Sequence, residues 1–184
     1  QLVQEWIPAL PDIAERFASD PPARVADIGM GYGWSSIALA QAFPKILVDG
    51  YDLDEASVIA ATALAADEQV SDRVSFHFRD AGDTELQGRY DLALAVECIH
   101  DMSDPVSVLS AMRRLVGPGG TVLIVDESVP DEYSAPGTDS DRYFYGFSVL
   151  HCLPVGLVDQ PSVGTGTVIR QATMRDYAQH AGFQ

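Results

Sequence analysis

The sequence "RVADIGMGYGWSSIALAQAFP", residues 24–44, joins a short apolar run to a loop with three glycines in five residues. Residues 25–29 predict a buried strand, and residues 34–43 predict a helix that ends before Pro44. Glycine permits positive φ and has no Cβ to hold a ligand away from the backbone. Because one glycine would suffice for an ordinary tight turn, Gly29, Gly31 and Gly33 predict a loop that cradles a ligand at a helix N-terminus.

The residues around these glycines distinguish between possible ligands. The dinucleotide fingerprint G-x-G-x-x-G would need a glycine where Trp34 stands, and no Gly-Lys-Ser/Thr follows to make a P-loop. Asp27, inside the strand, would repel a diphosphate and attract an ammonium group. The pattern therefore favours a cationic ligand, and it disfavours a nicotinamide-dependent oxidoreductase.

Strand-like and helix-like segments alternate on both sides of this loop. Further strands are predicted at 46–52, 74–79, 90–96 and 121–126, and helices at 54–69, with Asp54 as N-cap, and at 104–116. This alternation predicts an α/β fold with a doubly wound, mostly parallel sheet. The loops that follow the strands then lie along one edge of that sheet, where a ligand site is expected.

Acidic residues occur at the ends of two of these strands. Asp52 ends the second strand, where a carboxylate commonly binds the two hydroxyls of a ribose. Asp80 follows the third strand, within reach of an adenine amino group. Together with Asp27, these carboxylates predict a cationic ligand that contains adenosine.

The alternation stops after Pro130. Residues 131–170 form a long connection with a helix-like stretch at 142–153, and a last helix is predicted at 172–182. Long connections inside a domain are often lids or binding elements. Phe144, Phe147 and His151 occur at helical spacing in this stretch, so we expect them to line a pocket for an apolar or aromatic molecule. The same spacing would also suit an ordinary core stripe.

The composition limits the possible partners. The 184 residues include 11 basic and 27 acidic side chains, for a net charge of −16. This balance gives no basic footprint for nucleic acid and disfavours an anionic membrane surface. No apolar run is long enough to span a membrane, and the first residues lack the pattern of a signal peptide. We therefore expect a cytoplasmic protein with a small-molecule partner and with Cys98 and Cys152 reduced.

In order, the segments "ADIGMGYG", "VDGYDLDEAS", "FRDAGD", "YDLALAVECIHDMSDP" and "MRRLVGPGGTVLIVDE" resemble the class I S-adenosylmethionine-dependent methyltransferases. The resemblance implies a Rossmann-like methyltransferase fold with seven strands, of which the last two are not found in residues 1–184. We therefore expect a single domain that is part of a longer protein, with 131–170 as a substrate lid.

The same resemblance implies S-adenosylmethionine as cofactor and a role for individual residues. Asp27 and the three glycines would face its methionine part, Asp52 the ribose, and Leu53 the adenine. Asp80 and Ala81 would flank the adenine edge. Glu97 and Cys98 would line the cofactor near its sulfonium.

A narrower similarity occurs at residues 99–104, "IHDMSD". This stretch resembles the "HDWSD" segment of small-molecule O-methyltransferases, in which the histidine is a general base. It implies that His100 deprotonates a hydroxyl acceptor and that Glu127 positions it. It also implies a homodimer formed through an N-terminal domain that is not found in these residues, and we assign no metal ion. The alternative is a non-catalytic regulator that binds S-adenosylmethionine.

Overall fold

The computed structural model describes residues 1–80 and 84–184. Its strands are β1 (Ala23–Ile28), β2 (Ile46–Asp52), β3 (Val74–Phe78), β4 (Leu92–Val96) and β5 (Thr121–Val125). They form one sheet in the order β3-β2-β1-β4-β5, in which β1 is parallel to β2 and β4, and β2 is parallel to β3. The predicted α/β fold is confirmed. The strand order changes direction after β1, so the glycine loop lies where such sheets bind their ligands.

Helices alternate with these strands and continue after them. They are α1 (Pro11–Ala18), α2 (Trp34–Ala42), α3 (Glu55–Asp67), α4 (Pro105–Val116), α5 (Asp139–Phe147), α6 (Leu153–Gly156) and α7 (Gln171–His180). Short π-helical turns cover Leu2–Trp6 and Ser148–Cys152, and 3₁₀ turns cover Thr84–Leu86 and Ile99–Asp101. In the described ranges, none of the helices is both long and apolar enough to cross a lipid bilayer.

The chain divides into two compact units. The first contains residues 1–96 and 111–123, and the second contains residues 97–110 and 124–184. In the first unit, Val25, Ile46 and Leu92 come from three neighbouring strands and are fully buried. Fully burying an aliphatic side chain of this size stabilises a fold by roughly 1.5–3 kcal/mol. The apolar strands read from the sequence thus form the core that fixes the glycine loop.

The second unit buries polar side chains beside apolar ones. Its apolar interior includes Ile99 and Ile169, while His100, Ser148 and Thr167 are buried with them. Ser148 Oγ accepts a hydrogen bond of 3.1 Å from the Thr167 backbone N–H. Buried polar groups are costly unless they find such partners, so this hydrogen bond offsets part of the cost of burying Ser148.

The predicted helix at 142–153 differs from the structure. Helix α5 begins earlier, at Asp139, because Thr138 and Asp141 form a capping box in which each side chain bonds the other's backbone N–H. The helical path then widens into the π turn at Ser148–Cys152 before α6. The stretch is therefore three short helical segments, and the predicted irregular region from 154 begins inside α6.

Candidate active site

The glycine loop follows β1 directly. Gly29, Gly31 and Gly33 all have positive φ, at 63°, 53° and 76°. Gly33 is the N-cap of α2, and a Cβ added to it would lie 2.4 Å from Cζ of Phe76. A Cβ added to Gly31 would have no neighbouring atom within 4 Å among the described residues. The two glycines therefore serve different purposes: Gly33 permits packing against β3, and Gly31 leaves the backbone accessible.

Asp27 lies beneath this loop with only 1% of its surface exposed. Its Oδ2 accepts hydrogen bonds from Ser35 Oγ at 2.5 Å and Ser36 Oγ at 2.7 Å. Burial raises the pKa of the Asp27 carboxyl to about 6, although the two serine hydroxyls oppose the shift. This oxygen fastens the first turn of α2 to β1, and the ammonium partner expected for Asp27 stays a prediction.

Asp52, at the end of β2, supports the loop from a second strand. Its Oδ2 accepts from the Gly31 backbone N–H at 2.8 Å, and its Oδ1 accepts from the Asp54 N–H at 2.9 Å. Asp54 in turn caps α3, as predicted, by accepting from the N–H groups of Ala56 and Ser57. Asp52 thus couples the glycine loop to the turn that precedes α3.

The remaining predicted adenosine contacts are near the ends of β2 and β3. Leu53 is 69% exposed beside Asp52, a position open to an apolar ring. Asp80 is exposed two residues after β3. Ala81, the last member of the predicted set, lies outside the described residues.

In the second unit, His100 is 4% exposed and its Nδ1 lies 2.5 Å from Oδ1 of Asp126. The carboxylate at Nδ1 of this histidine is therefore Asp126, and not the predicted Glu127. Consecutive side chains of an extended chain point to opposite sides, so a shift of one residue decides which carboxylate meets the ring. The sequence signal that could have revealed Asp126 is the pair of adjacent acids directly after β5.

The surroundings of His100 favour its protonated form. Burial alone would lower its pKa, but the hydrogen bond and charge of Asp126, with the charge of Asp101, raise the pKa above its ordinary value. Asp101 Oδ1 lies 3.4 Å from His100 Nε2. The Asp126 contact leaves Nε2 as the nitrogen available for chemistry.

Glu97 and Glu127 form a second acidic pair. Glu97 follows β4 and has a φ of 54°, a strained conformation for a residue other than glycine. Desolvation, together with the charges of Glu127 and Asp126, raises the pKa of Glu97 to about 7. Cys98, the next residue, is half-buried.

The predicted acceptor-binding residues lie on α5 and the π turn. Phe147 stacks on Tyr143 with ring centroids 6.2 Å apart and meets His151 edge-on at 6.0 Å. Phe144 is half-buried, whereas Phe147 and His151 are exposed. The structure thus forms an aromatic surface on this segment, and contact of these residues with an acceptor stays a prediction.

Comparisons with known proteins agree with this geometry. A parallel α/β sheet with a glycine loop after its first strand defines the Rossmann-like class. The sequence profile of the methyltransferase domain matches residues 26–122. The chain therefore belongs to the methyltransferase-domain family, whose cofactor is S-adenosylmethionine.

Two relatives illustrate the similarity. The rice (Oryza sativa subsp. japonica) protein "Probable tocopherol O-methyltransferase, chloroplastic" is 32% identical over 74% of this chain and 40% of its own length. The 27-O-demethylrifamycin SV methyltransferase of Amycolatopsis mediterranei is 33% identical over 65% of this chain and 44% of its own length. The chain therefore spans less than half the length of these relatives.

Solved structures show the same fold. An O-methyltransferase family protein from Burkholderia thailandensis superposes with a TM-score of 0.69 at 20% identity, over 98% of this chain and 52% of its own. The [4+2]-cyclase SpnF superposes with a TM-score of 0.65 at 21% identity, over 95% of this chain and 57% of its own. Since a protein named a cyclase has this fold, the fold alone does not decide the reaction.

Proposed function

We propose that this protein transfers a methyl group from S-adenosylmethionine to a hydroxyl group of a small molecule, with His100 as general base. The observation that carries the proposal is the 2.5 Å contact between His100 Nδ1 and Asp126 Oδ1 in a buried setting. An imidazole held in this way presents Nε2 in a fixed direction, which is what a positioned base requires.

The loop residues of the first unit fit the cofactor. Gly31 leaves its backbone open, and Asp52 is already fixed where a carboxylate can bind ribose hydroxyls. We assign the ribose to Asp52, the adenine to Leu53 and Asp80, and the methionine part to Asp27, Gly29, Gly31 and Gly33. The bound cofactor supplies a methyl group made electrophilic by its positive sulfur.

The reaction asks two things of the second unit. His100 Nε2 accepts the proton of the acceptor hydroxyl as the new oxygen–carbon bond forms and the sulfur–carbon bond breaks. Asp126 keeps the proton on Nδ1 and stabilises the imidazolium that results. Because Asp101 lies 3.4 Å from Nε2, an acceptor hydroxyl competes with its carboxylate for that nitrogen.

Other residues have supporting roles in this proposal. Glu97 and Cys98 follow β4 and would line the cofactor near its sulfur. Glu127 acts on Glu97, with which it shares a hydrogen bond, rather than on His100. Phe144, Phe147 and His151 would contact an aromatic or apolar acceptor, as part of a lid formed by residues 131–170.

A panel of phenols and hydroxylated metabolites, incubated with the whole protein and S-adenosylmethionine labelled in its methyl group, tests the proposal. We expect His100→Ala to reduce kcat by about 10²–10⁴-fold, the usual contribution of a general base, without loss of cofactor affinity. His180→Ala is the matched control, because His180 is exposed and pairs with Asp176 on α7.

Three results would contradict this proposal. Unchanged methylation by His100→Ala would remove the general-base role. Cofactor binding without methylation of any acceptor would favour the non-catalytic regulator. Binding of NADH but not of S-adenosylmethionine would favour an oxidoreductase.

A further inference from the structure

A second set of contacts surrounds the other nitrogen of His100. A ring nitrogen of His100, a carboxylate oxygen of Asp101 and the Sγ of Cys152 lie within 4.8 Å of one another. Within this cluster, His100 Nε2 is 3.4 Å from Asp101 Oδ1. His100 and Asp101 belong to the 3₁₀ turn Ile99–Asp101, whereas Cys152 ends the π turn Ser148–Cys152. Residues distant in the sequence thus place an imidazole, a carboxylate and a thiol together inside the second unit.

The cluster has an unsatisfied polar atom. Asp101 Oδ1 is buried and has no hydrogen-bond partner among the described residues. Cys152 is 3% exposed. A buried carboxylate oxygen without a donor is costly, and His100 Nε2, at 3.4 Å, makes no hydrogen bond to it.

The backbone fixes these groups in place. A Cβ added to Gly156 would lie 3.2 Å from the Asp101 carbonyl oxygen, so a larger residue would crowd the contact between α6 and this turn. The Gly166 N–H donates to the His100 carbonyl at 3.1 Å. The cluster is therefore held from both sides, rather than formed by mobile surface side chains.

We propose that His100 Nε2, Asp101 Oδ1 and Cys152 Sγ form a binding site for a borderline divalent metal ion, with Zn²⁺ as the best match. One imidazole, one carboxylate and one thiolate, with a fourth position open, is a ligand set that zinc accepts. Nitrogen and oxygen ligands of a tetrahedral zinc ion lie about 3.3–3.5 Å apart. The 3.4 Å between His100 Nε2 and Asp101 Oδ1 matches that separation.

The Asp126 contact strengthens this assignment. Metal-bound histidines usually donate their second ring N–H to a carboxylate, which fixes the tautomer and makes the ligand nitrogen more basic. Asp126 supplies this contact at Nδ1 and leaves Nε2 for the ion. Binding displaces the thiol proton of Cys152 and, from a protonated imidazole, the proton on Nε2 of His100, and both protons leave to solvent.

The metal site goes beyond the proposed function, and an ion bound there would block the role of His100 as general base. Nε2 cannot accept a proton from a hydroxyl while it coordinates a metal ion. Metal binding would therefore inhibit methyl transfer that depends on His100. Metal binding is measured directly, so it remains testable even if no acceptor is ever found.

Titration of the metal-free protein with Co²⁺, followed by displacement with Zn²⁺, tests the site. We expect a thiolate-to-cobalt charge-transfer band that disappears when Zn²⁺ is added. Cys152→Ser should abolish the band. Asp101→Asn should keep the band and weaken affinity by at least about 10- to 100-fold, the loss typical even of an outer-shell partner.

Two controls separate this site from its neighbours. Cys98→Ser should leave the band and the affinity unchanged, because Cys98 is the other thiol of the chain. Glu97, His100 and Asp126 form an alternative ligand group around the same histidine. Glu97→Gln should therefore keep the charge-transfer band if the assignment is correct.

The proposal is overturned if Co²⁺ binds without a charge-transfer band, if Cys152→Ser binds as tightly as wild type, or if Glu97→Gln is the variant that loses binding. The absence of saturable binding at millimolar Co²⁺ would also overturn it. A cooperative thermal transition shows that each variant is folded, and retained S-adenosylmethionine binding adds to this for Cys152→Ser and Asp101→Asn.

Discussion

At the residue scale, the carboxyl group of Asp27 is almost completely buried, which raises its pKa. Hydrogen bonds from two serine hydroxyls and one backbone N–H oppose this rise. The folded state raises its pKa from 3.8 to about 6, so the native protein binds this proton more tightly than the unfolded chain does. Stability from this group is thus fully present below about pH 4 and is lost as the pH rises through about 6. The shift corresponds to about 3 kcal/mol at most.

The Asp27→Asn variant should lack this pH dependence. We expect the free energy of unfolding of wild type, measured by urea denaturation, to fall between pH 4 and 7 because of Asp27. The same measurement on Asp27→Asn should not show this fall. Ser36→Ala is the informative companion, because the Ser36 hydroxyl lowers the pKa of Asp27. Its removal should move the decline to higher pH. Parallel stability curves for wild type and Asp27→Asn would contradict the argument.

Asp126 is the residue whose charge raises the pKa of His100 despite burial of the ring. A general base works in its neutral form, so activity should rise with pH through the pKa of His100. Asp126→Asn should move this inflection to lower pH and also lower the plateau of kcat, because the ring loses its fixed tautomer.

The pH profile of kcat for an identified acceptor provides the measurement. Glu127→Gln is the matched control, since Glu127 is not among the groups that shift the His100 pKa. Its inflection should move far less than that of Asp126→Asn, because Glu127 reaches His100 only through the charge of Glu97. If Glu127→Gln moved the inflection and Asp126→Asn did not, the sequence-based choice of Glu127 as the positioning residue would be restored.

At the element scale, the glycine loop separates the requirements of folding from those of binding. An alanine at Gly33 would combine a φ of 76° with a 2.4 Å approach to Phe76. We expect it to destabilise the protein by roughly 2–4 kcal/mol, as the sum of a left-handed backbone and an overpacked core. An alanine at Gly31 meets no atom within 4 Å and should cost about 1–2 kcal/mol.

Of the two variants, Gly31→Ala should be the more stable protein but the weaker binder of the cofactor. Calorimetric titration with S-adenosylmethionine should show a large loss of affinity for Gly31→Ala, although that variant is the more stable one in denaturation. If Gly31→Ala bound the cofactor like wild type, the loop would be a folding element only.

Elements that depend on local signals were predictable from the sequence. The apolar runs of β1 and β4, the Asp54 cap and the glycine turn all follow from residues close together in the chain. The start of α5 was missed because the capping box at Thr138 outweighs the weak helical propensity of the residues after it. The π turn at Ser148–Cys152 has no periodic signal in the sequence.

The candidate site was predictable in part for the same reason. The glycine loop and Asp52 belong to one contiguous pattern, and the structure connects them by a hydrogen bond. The partner of His100 depends on which of two adjacent acids turns toward the ring, and that is decided by packing after β5. The proximity of Asp101 to Cys152 joins two turns that are some fifty residues apart in the chain, and no local pattern encodes it.

At the scale of the whole molecule, the excess of 27 acidic over 11 basic residues sets the response to salt. Ion pairs such as Arg24–Asp49 and Lys45–Asp20 are partly exposed. Pairs of this kind contribute about 0–1 kcal/mol each, and salt weakens them. Salt also weakens the repulsion among the surplus carboxylates, and repulsion of this kind destabilises compact states.

Repulsion should dominate, because the net charge of −16 leaves most acids without a basic residue to pair with. The Debye length falls from about 30 Å at 0.01 M to about 10 Å at 0.1 M salt, so NaCl in this range screens distant carboxylates. We expect the urea midpoint to rise between 10 and 150 mM NaCl, with an unchanged m-value. Arg24→Gln should preserve the direction of this response, since it deletes a single pair. A midpoint that falls with salt would show that the ion pairs, and not the surplus charge, control the stability of the fold.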